Sequence, residues 1–173
     1  ALLRNVMRNA RLALQAPDDY DVRAEIMWAG TLSHNDITGD RSQGDWASHQ
    51  LEHELGGMFD IAHGAGLAAI WGSWARYVLK QNPCRFAQLA VNVLNVPYSF
   101  GNDEKTALEG IAAMEDFFRS IGMPTSISDM EIELTDAQIK ELAHKCSFMG
   151  RRTIGGFVTL NAADMENIYR MAR

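Results

Sequence analysis

Cysteine and long apolar runs are both scarce in this sequence. Its 173 residues include only two cysteines, Cys84 and Cys146, far apart along the chain. Two distant cysteines do not form the disulfide framework of a small secreted protein, so we expect free thiols in a reducing compartment. No apolar run approaches the about 20 residues that a membrane span requires. We therefore expect a soluble, cytoplasmic protein with no membrane partner.

Positive charge is also in short supply. Lysine and arginine total 16 against 22 aspartates and glutamates, which leaves a net charge of −6. A protein that binds nucleic acid needs a basic patch or stripe to contact phosphates. The densest basic spot here is the pair Arg151-Arg152. The composition therefore argues against a nucleic-acid partner.

A capping residue is missing before the first apolar pattern. Helical spacing of apolar residues starts at Leu2, yet no Ser, Thr, Asp or Asn precedes it, and the chain opens on Ala1. A chain that begins inside a helix is typical of a piece cut from a longer protein. We therefore expect a fragment.

Strand patterns are almost absent, and helix patterns follow one another along the chain. The longest alternation of apolar and polar residues, 130–134, is interpreted as an extended loop, and 38–44 as a loop by its composition. Apolar stripes and capping residues predict about seven or eight helices. After the first, they run over about 20–36, 46–58, 62–80, 83–94, 103–121, 136–146 and from 162 onward. The predicted fold class is all-α, a single helical domain over residues 1–173 with three of its four tryptophans in the core.

Three of the five histidines are clustered in the first half of the chain. His49 and His53 are four positions apart and lie on one face of a helix, and His63 opens the next helix after a glycine pair. This arrangement can converge imidazoles on one point, and neutral imidazole is the commonest metal ligand in proteins. We therefore predict a metal site. The other two histidines, His34 and His144, stand alone at helix ends and are interpreted as ordinary surface or capping residues.

The residues alone leave more than one function open. Residues 49–53 match the inverted zinc-peptidase motif H-x-x-E-H, in which both histidines bind zinc and Glu52 is the general base. A third ligand would come from Glu131 or Glu133. That motif fixes only three positions and leaves His63 unexplained. A helical interaction module with a structural histidine cluster is a further alternative.

The order of histidines and glycines from Trp46 to Gly66 resembles the signature of the iron-containing alcohol dehydrogenases, the group III, metal-dependent family. In that signature a histidine is followed by small residues and an apolar position, and then by His-Gly-x-Gly. The matching residues are His49, His53, Gly56, Gly57, Ile61, His63, Gly64 and Gly66. The flanking residues 24–30 and 165–170 are also similar to the C-terminal half of the family, and the butanol dehydrogenase branch is the most similar.

The resemblance implies a fold, a reaction and roles for single residues. The fold is the helical C-terminal metal-binding domain of the iron-containing alcohol dehydrogenase (dehydroquinate synthase-like) fold. The reaction interconverts primary alcohols and aldehydes, with Fe²⁺ or Zn²⁺ to polarise the alcohol oxygen and NAD(P) to exchange the hydride. His49 and His63 match the two metal ligands of the motif. His53 matches a catalytic histidine that is not a ligand, faces the nicotinamide and substrate, and helps to move the alcohol proton. Glu52 is then either an ordinary helix carboxylate or a partner of a ligand.

The same resemblance implies that much of the enzyme lies outside these residues. The family's other two metal ligands, an Asp and a His four residues later, have no counterpart here, and neither has its N-terminal dinucleotide-binding domain. We therefore expect an isolated C-terminal fragment to be inactive, because two ligands are missing and NAD(P) binds mainly to the absent domain. Without that domain, the apolar wall of the cleft that it would have covered is exposed, and such a patch favours a homo-oligomer.

The geometry of the histidine cluster distinguishes the alternatives. In the dehydrogenase we expect His49 and His63 to converge while His53 stands apart. In the peptidase, His49 and His53 converge with Glu131 or Glu133. In the interaction module none of the histidines faces a cleft.

Overall fold

Eight α-helices dominate the part of the chain that the computed structural model describes, residues 1–39 and 44–173. They are α1 (Leu2–Gln15), α2 (Tyr20–His34), α3 (Ala47–Phe59), α4 (His63–Val78), α5 (Pro83–Leu94), α6 (Asp103–Ser120), α7 (Asp136–Cys146) and α8 (Ala162–Ala172). Short 3-10 helices occupy Leu79–Gln81 and Ser128–Met130, and an isolated antiparallel bridge joins Ile154 to Leu160. The all-α prediction is confirmed, although residues 40–43 of the predicted loop 38–44 lie outside the described residues. None of the helices in the described ranges is both long and apolar enough to cross a membrane.

Capping side chains explain where most of the helices begin. Asn82 caps α5 by accepting a hydrogen bond from the backbone of Arg85, and Pro83 follows it at a position where no backbone donor is needed. Thr135 and Gln138 form a capping box at the start of α7. The helix predicted over residues 62–80 is shorter, because its last turn tightens into the 3-10 helix Leu79–Gln81 just before Pro83.

Helix α4 is the centre of the packing and contacts α3, α6 and α8. Its buried face is built largely from small residues, which allow neighbouring backbones to approach closely: Gly66, Ala68, Ala69, Gly72, Ser73 and Ala75. Helix α7 packs against both α8 and α3, α5 pairs with α6, and the α1–α2 hairpin contacts α5 through α1. The position of a residue on α4 is therefore fixed by packing against three other helices.

A partly buried ion pair connects α4 to α6. Arg76 donates from both terminal nitrogens to the carboxylate of Glu115, with 2.7 Å between Nη2 and Oε2. This hydrogen bonding raises the pKa of Arg76. Because the pair satisfies the charge of a buried carboxylate, it fixes how the two helices lie against each other.

Both cysteines are free, and they differ in environment. Cys84 is exposed, whereas Cys146 at the end of α7 is buried and its Sγ donates to the backbone oxygen of Gln50, 3.4 Å away on α3. Burial raises the pKa of the Cys146 thiol to about 11. Cys146 therefore remains a neutral packing residue at the α3–α7 contact.

The tryptophans correct one expectation. Trp28 is 61% exposed and Trp46 is 55% exposed, so only Trp71 and Trp74 pack against the core, not the three that were predicted. Trp28 lies on α2, whose main packing partner among the described elements is α1. Trp46 precedes α3 and packs its edge against the ring of His49, with 4.8 Å between ring centroids.

The buried hydroxyl of Tyr169 provides a test of the core. It donates to the backbone oxygen of Leu51 at 2.6 Å and so joins α8 to α3. Replacement of Tyr169 by Phe should lower the free energy of unfolding by about 1 kcal/mol, because one buried hydrogen bond is lost without a change in packing. Chemical denaturation measures this effect. Tyr20, which is 81% exposed, offers the control, since Y20F should leave stability unchanged; an equal loss in both variants would contradict the assignment.

Candidate metal centre

Two consecutive helices, α3 and α4, which pack against each other, carry the histidine cluster. His49 and His53 lie on α3, and His63 is the first residue of α4. A short connection links them, beginning at Asp60, which ends α3 in the left-handed conformation with φ of 52°. The predicted placement of the three histidines is therefore confirmed.

Asp45 fixes the start of α3. One of its carboxylate oxygens accepts from the backbone of Ala47, the first residue of the helix, at 2.7 Å. The other accepts from the backbone of Gly156 at 3.0 Å and of Phe157 at 2.7 Å. The sequence predicts Asp45 as the cap of this helix, but the cap position is held by Trp46, and Asp45 binds the first turn from one residue earlier. Asp45 also anchors the helix to a distant turn.

The three imidazole rings form a compact triangle. Ring centroids are 5.4 Å apart for His49 and His63, 5.4 Å for His53 and His63, and 6.3 Å for His49 and His53. The rings of His49 and His63 are as close together as those of His53 and His63. Among the described residues, the group whose potential ligand atoms all lie within 4.8 Å of one another includes His53 and His63 but not His49. His53 does not stand apart, however, because its position one turn from His49 on the same helix leaves it equally close to His63.

Glu52 lies beneath this triangle. Its side chain is only 2% exposed, and its carboxylate Oε2 is hydrogen-bonded to Nδ1 of His63. Nδ1 is the ring nitrogen of His63 that Glu52 engages, and Nε2 takes no part in this contact. A buried carboxylate engaged in this way does not match the exposed general base of a zinc peptidase.

Two glycines of the motif make room for Glu52. A Cβ at Gly66 would lie 2.7 Å from both Cγ and Oε1 of Glu52 and 2.9 Å from Cδ1 of Ile61, and a Cβ at Gly56 would lie 3.1 Å from Oε1. A Cβ at Gly57 or Gly64 would meet nothing within 4 Å among the described residues. Gly56 and Gly66 therefore leave space for Glu52, whereas Gly57 and Gly64 do not have this role.

The protonation of His49 suits a metal ligand. Partial burial lowers its pKa, and the nearby His63, His53 and His34 lower it further. The imidazole is therefore neutral at neutral pH, which is the form that binds metal ions. The structure places His34 and His144 at exposed helix ends as predicted, but it also brings His34 near enough to influence His49.

An apolar cleft of about 330 Å³ lies beside His49. Its walls come from α4 and from α6 with the segment that follows it, and they include Gly64, Leu67, Trp71, Phe118, Ile121 and Met123. Trp71 and Phe118 meet edge to face, with 6.0 Å between ring centroids. Because His49 faces a cleft, a purely structural histidine cluster is disfavoured.

The carboxylates required by the peptidase alternative do not join the cluster. Within the described residues, the group whose potential ligand atoms lie within 4.8 Å of one another comprises Glu52, His53 and His63. Glu131 and Glu133 are not part of it.

Comparison with known proteins identifies the family. The model of the Fe-containing alcohol dehydrogenase family, C-terminal, matches residues 1–173. The chain belongs to this family. It is 36% identical over 170 residues to the probable NADH-dependent butanol dehydrogenase 1 of Bacillus subtilis, covering 98% of the chain and 43% of that relative. It is 30% identical over 172 residues to the NADPH-dependent aldehyde reductase YqhD of Escherichia coli, covering 99% of the chain and 43% of that relative.

Solved structures agree with the family assignment. NADH-dependent butanol dehydrogenase A from Thermotoga maritima superposes with a TM-score of 0.89 at 28% identity, covering 99% of this chain and 44% of that one. The substrate- and cofactor-free aldehyde reductase YqhD gives a TM-score of 0.89 at 31% identity, with the same coverage. The chain therefore spans less than half the length of these members of the iron-containing alcohol dehydrogenase family.

The different roles of the motif glycines give a prediction. Gly66→Ala should lower the free energy of unfolding by about 1–3 kcal/mol, because the new methyl group overlaps Glu52 and Ile61 in a packed site. Chemical denaturation measures the loss. Gly64→Ala, on the same turn of α4 but facing open space, is the matched control and should leave stability unchanged or slightly higher. Equal effects of the two substitutions would contradict the packing described here.

Proposed function

We propose that this chain is the C-terminal metal-binding domain of an NAD(P)-dependent dehydrogenase that interconverts primary alcohols and aldehydes. The observation that carries the proposal is the convergence of His49 and His63 beside an apolar cleft, in a member of the iron-containing alcohol dehydrogenase family. The NADH-dependent butanol dehydrogenases and the NADPH-dependent aldehyde reductase among its relatives support this class of reaction.

The donor set fits a divalent transition metal. Imidazole nitrogen suits Fe²⁺ and Zn²⁺, and His49 and His63 offer two such nitrogens on adjoining helices. In this proposal they are two of the ligands, and the remaining two, an Asp and a His, lie upstream of residue 1 in the parent protein. When bound, the ion polarises the oxygen of the alcohol or aldehyde, and the nicotinamide cofactor exchanges the hydride.

His53 is proposed as the catalytic histidine that accepts the alcohol proton and returns it in the reverse reaction. Its side chain is exposed and its ring is within reach of the same point as the two proposed ligands. An imidazole is suited to this exchange because its ordinary pKa is close to neutral pH. The assignment of His53 as a proton carrier rather than a ligand rests on its position in the family motif.

The cleft beside His49 is proposed to hold the hydrocarbon part of the substrate. Leu67, Trp71 and Phe118 give it apolar walls, and its opening places a bound chain next to the proposed metal ligand. Apolar walls also exclude water from the reacting carbon. The cleft therefore favours primary alcohols and aldehydes with an alkyl chain over more polar substrates.

Cofactor binding is proposed to depend on residues outside this chain. The relatives are more than twice as long as the part that the chain matches. In the proposal, an N-terminal domain holds NAD(P) over the metal centre. A cytoplasmic homo-oligomer remains a prediction from composition and from the exposed cleft wall.

An activity assay tests the proposed function. The parent protein, with the residues upstream of this chain, should reduce NAD(P)⁺ when 1-butanol is supplied, whereas the isolated chain should not. His63→Ala in the parent should reduce kcat at least about a hundredfold, because a metal ligand is lost and the transition-state charge is no longer stabilised. The exposed His144 is the control, and H144A should retain full activity. Butanol oxidation by the isolated chain, or full activity of H63A, would contradict the proposal.

A further inference from the structure

Glu52 is the most deeply buried carboxylate near the proposed centre, and its surroundings are otherwise largely apolar. It is 2% exposed and lies on α3 between the core residues Leu51 and Leu55, both fully buried. Burial of a carboxylate is costly unless a specific partner compensates it. Its partner is Nδ1 of His63, on a side chain that is itself 52% exposed. The core therefore presents one fixed acceptor to one ring of the surface cluster.

We propose that Glu52 is a positioning residue that holds the His63 proton on Nδ1 and directs Nε2 toward the metal. This inference rests on the proposed function, since it concerns the metal that His49 and His63 would share. A carboxylate acceptor on the far nitrogen of a ligating histidine fixes the tautomer and the ring orientation and makes the ring a stronger donor to the metal. The ring of His49 contacts the ring of Trp46 and makes no such hydrogen bond with Glu52.

The packing of α3 against α4 enforces the position of Glu52. Gly66 on α4 lies so close that a Cβ there would come within 2.7 Å of Cγ and Oε1 of Glu52. Gly56, which lies on α3 as Glu52 does, is also close to Oε1. The carboxylate therefore lies close to the backbone at Gly66 and Gly56, in a space that only glycine at position 66 leaves free. The hydrogen bond is therefore built into the fold and is not a chance surface contact.

Direct ligation by Glu52 is the competing interpretation. Its carboxylate, His53 and His63 bring potential ligand atoms within 4.8 Å of one another. However, the carboxylate oxygen Oε2 already meets Nδ1 of His63, and the side chain is buried while both rings are exposed. Because Nδ1 and Nε2 point in different directions from the ring, a metal bound at Nε2 of His63 would lie away from this carboxylate. The geometry therefore favours a positioning role.

Two substitutions at Glu52 and one control define the experiment. Glu52→Ala removes the acceptor, and Glu52→Gln keeps the shape but offers only a neutral acceptor. Glu54, a half-buried carboxylate two residues along α3, makes no side-chain hydrogen bond or salt bridge among the described residues, so E54Q is the matched control. The Zn²⁺ dissociation constant of the 173-residue chain is measured for each by titration, with circular dichroism and thermal unfolding to confirm folding.

We expect E52A to weaken Zn²⁺ binding about 10- to 100-fold. E52Q should weaken it less, since the amide oxygen still accepts from Nδ1, and E54Q should bind as the wild type does. An unchanged dissociation constant in folded E52A would overturn the proposal. Equal losses in E52Q, E52A and H53A, with H49A binding normally, would also overturn it, because that pattern assigns Glu52 and His53 as ligands. If E52A does not fold, the isosteric E52Q decides between these outcomes.

The tautomer of His63 gives a second readout that needs no metal and no activity. The ¹⁵N chemical shifts of the metal-free wild type, recorded at a pH where imidazole is neutral, should place the His63 proton on Nδ1. In E52A the proton should redistribute toward Nε2, and in E52Q the change should be smaller. A wild-type His63 protonated on Nε2 would overturn the positioning role. If the tautomer shifts as expected but neither H49A nor H63A affects Zn²⁺ binding, the proposed function fails instead. The two failures are therefore distinguishable.

Discussion

The close contact between α3 and α4 is the constraint on which the site depends. Gly66 lets α4 approach α3 until the side chain of Glu52 fills the space between them. That approach buries the carboxylate and brings it against His63, the first residue of α4. The same junction sets the 5.4 Å separation between the rings of His49 and His63. A bulkier residue at the contact would therefore disturb the core, the buried carboxylate and the histidine cluster together.

The rest of the fold holds that junction rigid. Helix α4 is packed by α6 and α8 as well as by α3, and the Arg76–Glu115 ion pair fixes it to α6. Asp45 ties the start of α3 to the backbone of Gly156 and Phe157. Ligands carried on helices that are anchored at several points do not need to be ordered when an ion arrives, and this lowers the cost of binding. By contrast, α2 has little contact beyond α1 and leaves Trp28 exposed.

The sequence was most informative where a local interaction sets the structure. Periodicity and capping residues predicted the helices to within a few residues, because these signals depend only on near neighbours. Asn82 and Asn161, for example, cap α5 and α8. The i, i+4 spacing of His49 and His53 predicted their shared face. Tertiary features were not accessible in this way. Nothing local reveals that Glu52 is buried against His63, or that His53 stays within 5.4 Å of His63 instead of standing apart.

The position of a bound ion is the most direct test of this account. Anomalous diffraction from Zn²⁺-loaded crystals of the parent protein should show a single strong peak about 2.0–2.1 Å from Nε2 of both His49 and His63. The carboxylate of Glu52 should remain hydrogen-bonded to Nδ1 of His63, and the ring nitrogens of His53 should lie too far from the ion to coordinate it. A peak coordinated by Glu52, His53 and Nδ1 of His63, with His49 unbound, would contradict the account.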